Sequence, residues 1–362
     1  MIKEKVLLGR RSYEIIIGSG LLEKAGSYLK KLDIGTDAFV ITNKFLKDKY
    51  GAKLSRSLIN QGFSCHFMTV PDSEKSKSIK TASQVIKDLA ARDQKKKFFI
   101  IALGGGVIGD LGGFIASVYK RGINYVQIPT TLLAQVDSSI GGKTAIDLDL
   151  GKNLVGAFYQ PRLVLSDTVL LKSLDKRQLR SGLAEVIKYA VIKDKSFFEF
   201  LEKRKKEITS LESKSLEKIV GICSRIKAQI TSKDEKEALG LRTILNFGHT
   251  IGHAIEAASG FNKYNHGEAV SLGMIAAVDL SKRLGLIGQA CGQRIKKLIA
   301  LYGLPVKLKG VSFEKIISAH YHDKKFSGKE NKFVLITGIG KARTVKNIGL
   351  NLIKESLKSL YN

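Results

Sequence analysis

Apolar and polar positions follow two different rhythms along this chain. Up to about residue 175, short apolar runs are separated by helical patterns: FVITN at 39–43, CHFMTV at 65–70, FFIIAL at 98–103, YVQIP at 125–129 and LVLSD at 163–167. Such runs predict strands, and strands alternating with helices predict an α/β unit around a mostly parallel sheet. Further on, the segments 179–192, 216–230, 269–285 and 291–303 carry apolar residues at helical spacing instead. One late apolar segment, FVLIT at 333–337, predicts a strand. The expected architecture is an N-terminal α/β domain over residues 1–175 and a mostly α-helical C-terminal domain over 176–362. A length of 362 residues agrees with two domains. Clefts between domains are common ligand sites.

Composition narrows the class. With 44% hydrophobic and 26% charged residues the chain is too apolar for disorder. No stretch reaches the roughly 18 consecutive apolar residues of a membrane span, and the N-terminus lacks the apolar region of an export signal. Cys65, Cys223 and Cys291 are far apart and without a Cys-x-x-Cys pair, so they read as ordinary thiols. A cytoplasmic protein without a membrane partner is expected. The formal charge of +28 admits two readings, a nucleic-acid surface or lysines decorating solvated faces. The runs Lys95–Lys97 and Lys203–Lys206 flank apolar periodic segments, as solvated faces do. Zinc-finger spacing and RNP-like aromatic motifs are missing, so no nucleic-acid partner is expected.

Three groups of residues carry candidate chemistry. In FFIIALGGGVIGDLGGF, Gly104, Gly106 and Gly109 have the G-x-G-x-x-G spacing between a strand and a helix. Such a turn brings backbone N–H groups close to a pyrophosphate. The acidic residue expected about 20 positions later is missing, and a plain tight turn remains the other reading, with Asp110 an incidental helix-start carboxylate. Three of the six histidines, His249, His253 and His266, fall within one short stretch. His249 and His253 share a helix face at i and i+4. Glu185, inside an apolar helical stretch with Lys188 one turn on, is the best acidic partner, and His₂Glu is a recurring catalytic metal set. Core imidazoles and a buried Glu–Lys pair are the alternatives. Finally, Arg121, Asp137, Lys143, Lys152, Asn153, Arg242 and Asn246 stand beside glycine turns or apolar residues, and the Arg and Lys among them suit a phosphorylated or carboxylated ligand. Each taken singly also reads as a solvated loop residue.

The stretches GGGVIGDLGGF, YKRG, IPTTLLAQVDSSIGGKTAID, LGKNLVGAFYQP, GLAEVIKYA, GLRTILNFGHTIGHAIE and NHGEAVSLGM together resemble the 3-dehydroquinate synthase family in order and spacing, from about residue 10 to 345. The resemblance implies a Rossmann-like NAD-binding domain, a helical metal-binding domain and a homodimer, as is that family's habit. It implies a lyase of the shikimate pathway acting on the sugar phosphate 3-deoxy-D-arabino-heptulosonate 7-phosphate. Carried over by position, Glu185, His249 and His266 are similar to the ligands of a zinc or cobalt ion. His253 is similar to a catalytic residue on the phosphate side. Asp137, Lys143, Lys188, Arg242, Asn246 and Asn153 resemble the substrate set, with Arg121 and Lys152 reaching phosphate or carboxylate, and Lys227 and Lys341 looser matches. For NAD the similar positions are Asn43, Glu74, Lys77, Gly105, Gly106, Asp110, Thr130, Thr131 and Leu133, with Lys143 and Lys152. The chain departs from the family at Ser73, where glycine is usual, and at Ser181 and Asp147, where asparagine is common.

Overall fold

A computed structural model describes residues 1–93, 97–260, 262–322 and 331–361. Lys95 and Lys96 of the first lysine run lie outside the described residues. The chain separates into two compact units, Met1–Leu174 with Leu211–Lys236, and Asp175–Ser210 with Glu237–Asn362.

The first unit is built on a seven-stranded sheet. Its strands are β1 (Ile2–Val6), β2 (Tyr13–Gly18), β3 (Asp37–Asn43), β4 (Ser64–Val70), β5 (Phe98–Gly104), β6 (Tyr125–Pro129) and β9 (Leu163–Asp167), in the order β1-β2-β9-β6-β5-β3-β4. From β2 to β4 every pairing is parallel, and only the edge strand β1 runs antiparallel to its neighbour. The five sequence-predicted strands are all present. Strands β3, β5, β6 and β9 are buried at every position. Continuous apolar runs, rather than alternation, are what a parallel sheet covered on both faces demands. One side is packed by Leu21, Leu29, Leu54 and Leu58, and the other by Val85, Leu89, Leu111 and Ile115.

A separate antiparallel hairpin, β7 (Lys143–Leu148) with β8 (Gly151–Phe158), packs against the Gly106–Val118 helix. It was not expected, because its glycines read as loop. The helix Ser213–Lys233, which the sequence reading placed in the second domain, belongs with the first unit. The reason is a close approach to the edge strand: a β-carbon on Gly221 would lie 2.9 Å from Ile2 Cδ1.

The second unit is mostly helical, with helices Lys176–Lys193, His249–Ala258, His266–Arg283 and Gln289–Leu301 among its members. The predicted late strand is β10 (Lys332–Gly338), paired antiparallel with β11 (Lys341–Lys346). Among the described residues no helix is long and apolar enough to cross a membrane.

Candidate functional site

In the first unit the candidate residues gather at the carboxyl ends of β3, β5 and β6, where open α/β sheets bind ligands. Strand β5 ends at Gly104, and the helix starts at Gly106 with Gly105 as its N-cap and no side chain capping it. The glycines are forced by close packing. A β-carbon would fall 2.6 Å from Ile108 Cβ at Gly104 and 2.5 Å from Gln127 Oε1 at Gly109. At Gly105 it would fall 3.0 Å from Thr131 Cγ2. The first N–H groups of this 13-residue helix have no side-chain cap, an arrangement that suits an anion. Thr130, Thr131 and Leu133 follow β6, and the Thr130 amide donates to the Gly104 carbonyl at 2.9 Å. Asn43 ends β3, where its Oδ1 accepts from the Leu46 amide at 2.8 Å.

Asp110, one turn into the helix, is anything but incidental. Lys77 Nζ donates to its Oδ2 at 2.8 Å, bonds the Asn153 side chain as well, and stands 3.9 Å from Asp147 Oδ1. Burial works against both charges. It lifts the Asp110 carboxyl above the usual range despite Lys77. For Lys77 the charges of Asp110, Asp147 and Glu74 outweigh burial and hold it above the ordinary lysine value. The 2.8 Å bond from Lys77 to Asp110, with Asp147 close to the same ammonium, is what offsets that burial. The same cluster ties down the hairpin: Asp147 Oδ1 accepts from the Asn153 amide at 2.7 Å, and the Asp147 amide donates to the Lys77 carbonyl at 2.7 Å. Glu74 lies beside it and pairs with Lys152 at 3.3 Å. The departures from the family pattern are accommodated. Ser73 is extended (φ −157°) and its side chain caps Lys75, so no glycine is needed there.

Asp137 pairs with the buried Lys227, whose Nζ reaches its Oδ1 at 2.7 Å and its carbonyl at 2.8 Å. Lys143 is exposed at the start of β7. Arg121 is not brought to the glycine loop. It follows the far end of the 13-residue Gly106–Val118 helix, roughly 20 Å along the axis from Gly105.

In the second unit Glu185, His249 and His266 converge. One ligand atom from each lies within 4.8 Å of the others. Glu185 Oε1 is 3.5 Å from His249 Nε2 and 3.4 Å from His266 Nε2. Glu185 is fully buried on the Lys176–Lys193 helix, and both histidines are the first residues of their helices. Glycines allow this convergence. A β-carbon on Gly273 would sit 1.9 Å from the Gly248 carbonyl oxygen, and one on Gly267 2.2 Å from that of Ser181. Ser181, another departure from the family, accepts from the Gly267 amide at 3.0 Å. His249 Nδ1 faces the Phe247 carbonyl at 3.2 Å, which turns Nε2 toward Glu185.

Burial and then the Lys188 ammonium push His249 well below the ordinary imidazole value. For His266 burial acts the same way, but Glu185 and Glu256 outweigh it and hold the ring up to about 10. Lys188, buried, forms an ion pair with Glu185. His253 is exposed one turn beyond His249, with ring centroids 5.3 Å apart. Arg242 is buried and pairs with Glu237 at 3.3 Å, four residues before the half-buried Asn246. Lys341 opens β11 and is exposed. Two neighbours of the candidate set, Glu256 and Glu237, were missed. For Glu256 the signal was available, since it stands at i+3 from His253 on one helix.

Residues 67–181 match the family model described as 3-dehydroquinate synthase N-terminal, and residues 182–326 that described as 3-dehydroquinate synthase C-terminal. A 3-dehydroquinate synthase of Desulforamulus reducens is 45% identical over 348 residues, covering 95% of this chain and 96% of the relative. Among solved structures, a 2-deoxy-scyllo-inosose synthase complexed with carbaglucose-6-phosphate, NAD+ and Co2+ superposes with a TM-score of 0.90 at 27% identity, covering 99% of this chain and 100% of that one. The 2-epi-5-epi-valiolone synthase of Streptomyces hygroscopicus subsp. jinggangensis, with NAD+ and Zn2+ bound, gives a TM-score of 0.87 at 27% identity and 96% coverage of both chains.

Proposed function

The chain belongs to the 3-dehydroquinate synthase family, and from that premise we propose how its residues convert 3-deoxy-D-arabino-heptulosonate 7-phosphate into 3-dehydroquinate and phosphate. The observation that carries this reading is the convergence of Glu185, His249 and His266 in a chain matching its relatives over nearly its whole length. The reaction is that of a phosphate-eliminating lyase, and we place it in the cytoplasm with a homodimer as the working unit.

The residues fit both cofactors. Two imidazoles and a buried carboxylate suit zinc or cobalt, and the uncapped helix behind Gly105 suits a dinucleotide pyrophosphate. When bound, NAD supplies a hydride acceptor regenerated within each turnover, and the divalent cation supplies Lewis acidity toward substrate hydroxyls. Glu185, His249 and His266 would hold the cation. Gly105, Gly106, Thr130, Thr131, Leu133 and Asn43 would hold NAD, with the Lys77–Asp110 pair and Glu74, Lys143 and Lys152 around it.

Lys188, paired with Glu185, would hold a substrate oxygen and steady its developing negative charge. Lys143, Lys152, Asn153, Asp137, Arg242 and Asn246 would bind the phosphate, carboxylate and hydroxyl groups, and Arg121, at the far end of the Gly106–Val118 helix, is left out of that set. His253, exposed to solvent, would hold a proton at a ring nitrogen on the phosphate side. Positioning of this kind contributes roughly 7–11 kcal/mol, more than the about 10²–10⁴-fold of a general acid or base. That balance suits a site rich in binding groups. The leaving phosphate would itself serve as the base toward the reacting C–H.

The test is phosphate release from 3-deoxy-D-arabino-heptulosonate 7-phosphate with catalytic NAD, before and after chelation. Chelator-sensitive release, with dehydroquinate formed and no net NADH, is expected. Steady NADH accumulation from simple polyols without phosphate release would overturn the reading in favour of a dehydrogenase.

A further inference from the structure

The Glu185 group is one of two His₂Glu groups among the described residues, and they share His266. The second group is His253, Glu256 and His266, with ligand atoms again within 4.8 Å. The shared ring has a carboxylate on each side. Its Nε2 lies 3.4 Å from Glu185 Oε1, and its Nδ1 lies 3.5 Å from Glu256 Oε2. Glu256 is well covered, with 12% of its side chain accessible, and it is held on the His249–Ala258 helix two turns after His249.

The two histidines of the candidate metal centre therefore have different outer partners. His249 has the neutral Phe247 carbonyl at its Nδ1, and His266 has the Glu256 carboxylate at its own. An outer acceptor fixes the proton on Nδ1 and leaves the Nε2 lone pair for a metal, and a charged acceptor also makes that nitrogen a better donor. Charge balance gives Glu256 a second task. Glu185 is the single anion among the three ligands, and Lys188 is paired with it. A divalent ion there would meet one carboxylate already shared with an ammonium, and Glu256 adds the further negative charge.

We propose that Glu256 is a positioning residue, which holds His266 in the Nδ1–H tautomer with Nε2 toward Glu185 and His249 and so raises the affinity of the centre for its divalent cation. This rests on the metal-binding reading of Glu185, His249 and His266. Glu256 acts through His266 and touches no reacting atom. Glu256→Gln keeps an acceptor but loses the charge, whereas Glu256→Ala loses both, so the two variants separate orientation from electrostatics.

The experiment is Co2+ and Zn2+ titration of the metal-stripped full chain against a competing chelator, with the visible Co2+ spectrum recorded alongside. The parent is expected to bind one ion and Glu185→Gln to lose it; a parent that binds none overturns the metal reading itself. With the parent binding, Glu256→Ala is expected to weaken affinity by about 10–100-fold and to shift the Co2+ bands. Glu256→Gln is expected to fall between Ala and parent. Unchanged affinity in both variants overturns the inference, and so does a second bound ion in the parent that Glu256→Ala removes, since Glu256 would then be a ligand. Circular dichroism and urea unfolding of the metal-free forms check folding, and if Glu256→Ala does not fold, Glu256→Gln alone decides.

Discussion

Gly267 lies against the backbone of Ser181 so closely that an added β-carbon would sit 2.2 Å from the serine carbonyl oxygen and 2.4 Å from its Cα. Gly267 follows His266, and Ser181 stands one turn before Glu185. The contact therefore sets the distance between two of the three ligands. Gly267→Ala must push the helices apart, at a cost of about 1–3 kcal/mol of stability. The variant is expected to lose metal affinity as well. Gly288→Ala, where nothing lies within 4 Å of the new carbon, should stay within about 1 kcal/mol of the parent and keep the metal. Urea unfolding and metal titration check both, and equal behaviour of the two variants would disprove the steric account.

Glu185 is fully buried between two imidazoles and the Lys188 ammonium. Replacing it by glutamine removes the charge from the ligand set and leaves Lys188 buried without its carboxylate. Metal content and turnover should fall together, each by more than about 100-fold, beyond what the loss of an outer-sphere partner costs. Glu185→Gln that retains full activity would sink the ligand assignment.

The cysteines make a cheaper test. Burial pushes the Cys65 thiol up to about 11, raises Cys291, and encloses Cys223 entirely. At pH 7.5 only about 3 in 10,000 of the Cys65 side chains are thiolate, the form that reacts. A disulfide reagent should thus label the native protein slowly, faster as pH rises toward 11, and all three thiols at once in denaturant. Rapid labelling of the native chain at neutral pH would contradict the packing around Cys65.

Much of this architecture was legible because burial on both faces leaves no alternative to continuous apolar runs, as in FVITN and FFIIAL. What escaped was patterned otherwise. Strand β1, IKEKV, sits at the sheet edge with three consecutive charged residues, Lys3, Glu4 and Lys5, and β8 of the hairpin carries Gly151 and Gly156. The Ser213–Lys233 helix reads as amphipathic wherever it packs, so its attachment to β1 was invisible in its own pattern. In the candidate centre, the i, i+4 histidines were readable from helix geometry. The convergence of Glu185 on His249 and His266 depends on Gly248, Gly267 and Gly273 meeting backbone from distant segments, which no local spacing announces.

The Lys77–Asp110 pair supplies the last prediction. Lys77 joins three segments that the sequence separates: the turn at Glu74–Ser76, the helix behind the glycine loop and the hairpin residue Asn153. Asp110→Asn leaves the buried ammonium with Asp147 at 3.9 Å as its remaining close carboxylate. Breaking a buried pair outright costs about 3–5 kcal/mol, so with Asp147 still present a loss of about 1–3 kcal/mol is expected. The loosened hairpin and helix start should raise the KM for NAD by about 10-fold with a smaller change in kcat, the signature of lost ground-state binding. Lys77→Met leaves the buried Asp110 carboxyl, with Asp147 nearby, without its counter-ion, so it should be at least as destabilising as Asp110→Asn and weaken NAD as well. If both variants bind NAD as the parent does, the pair is structural support for the hairpin alone.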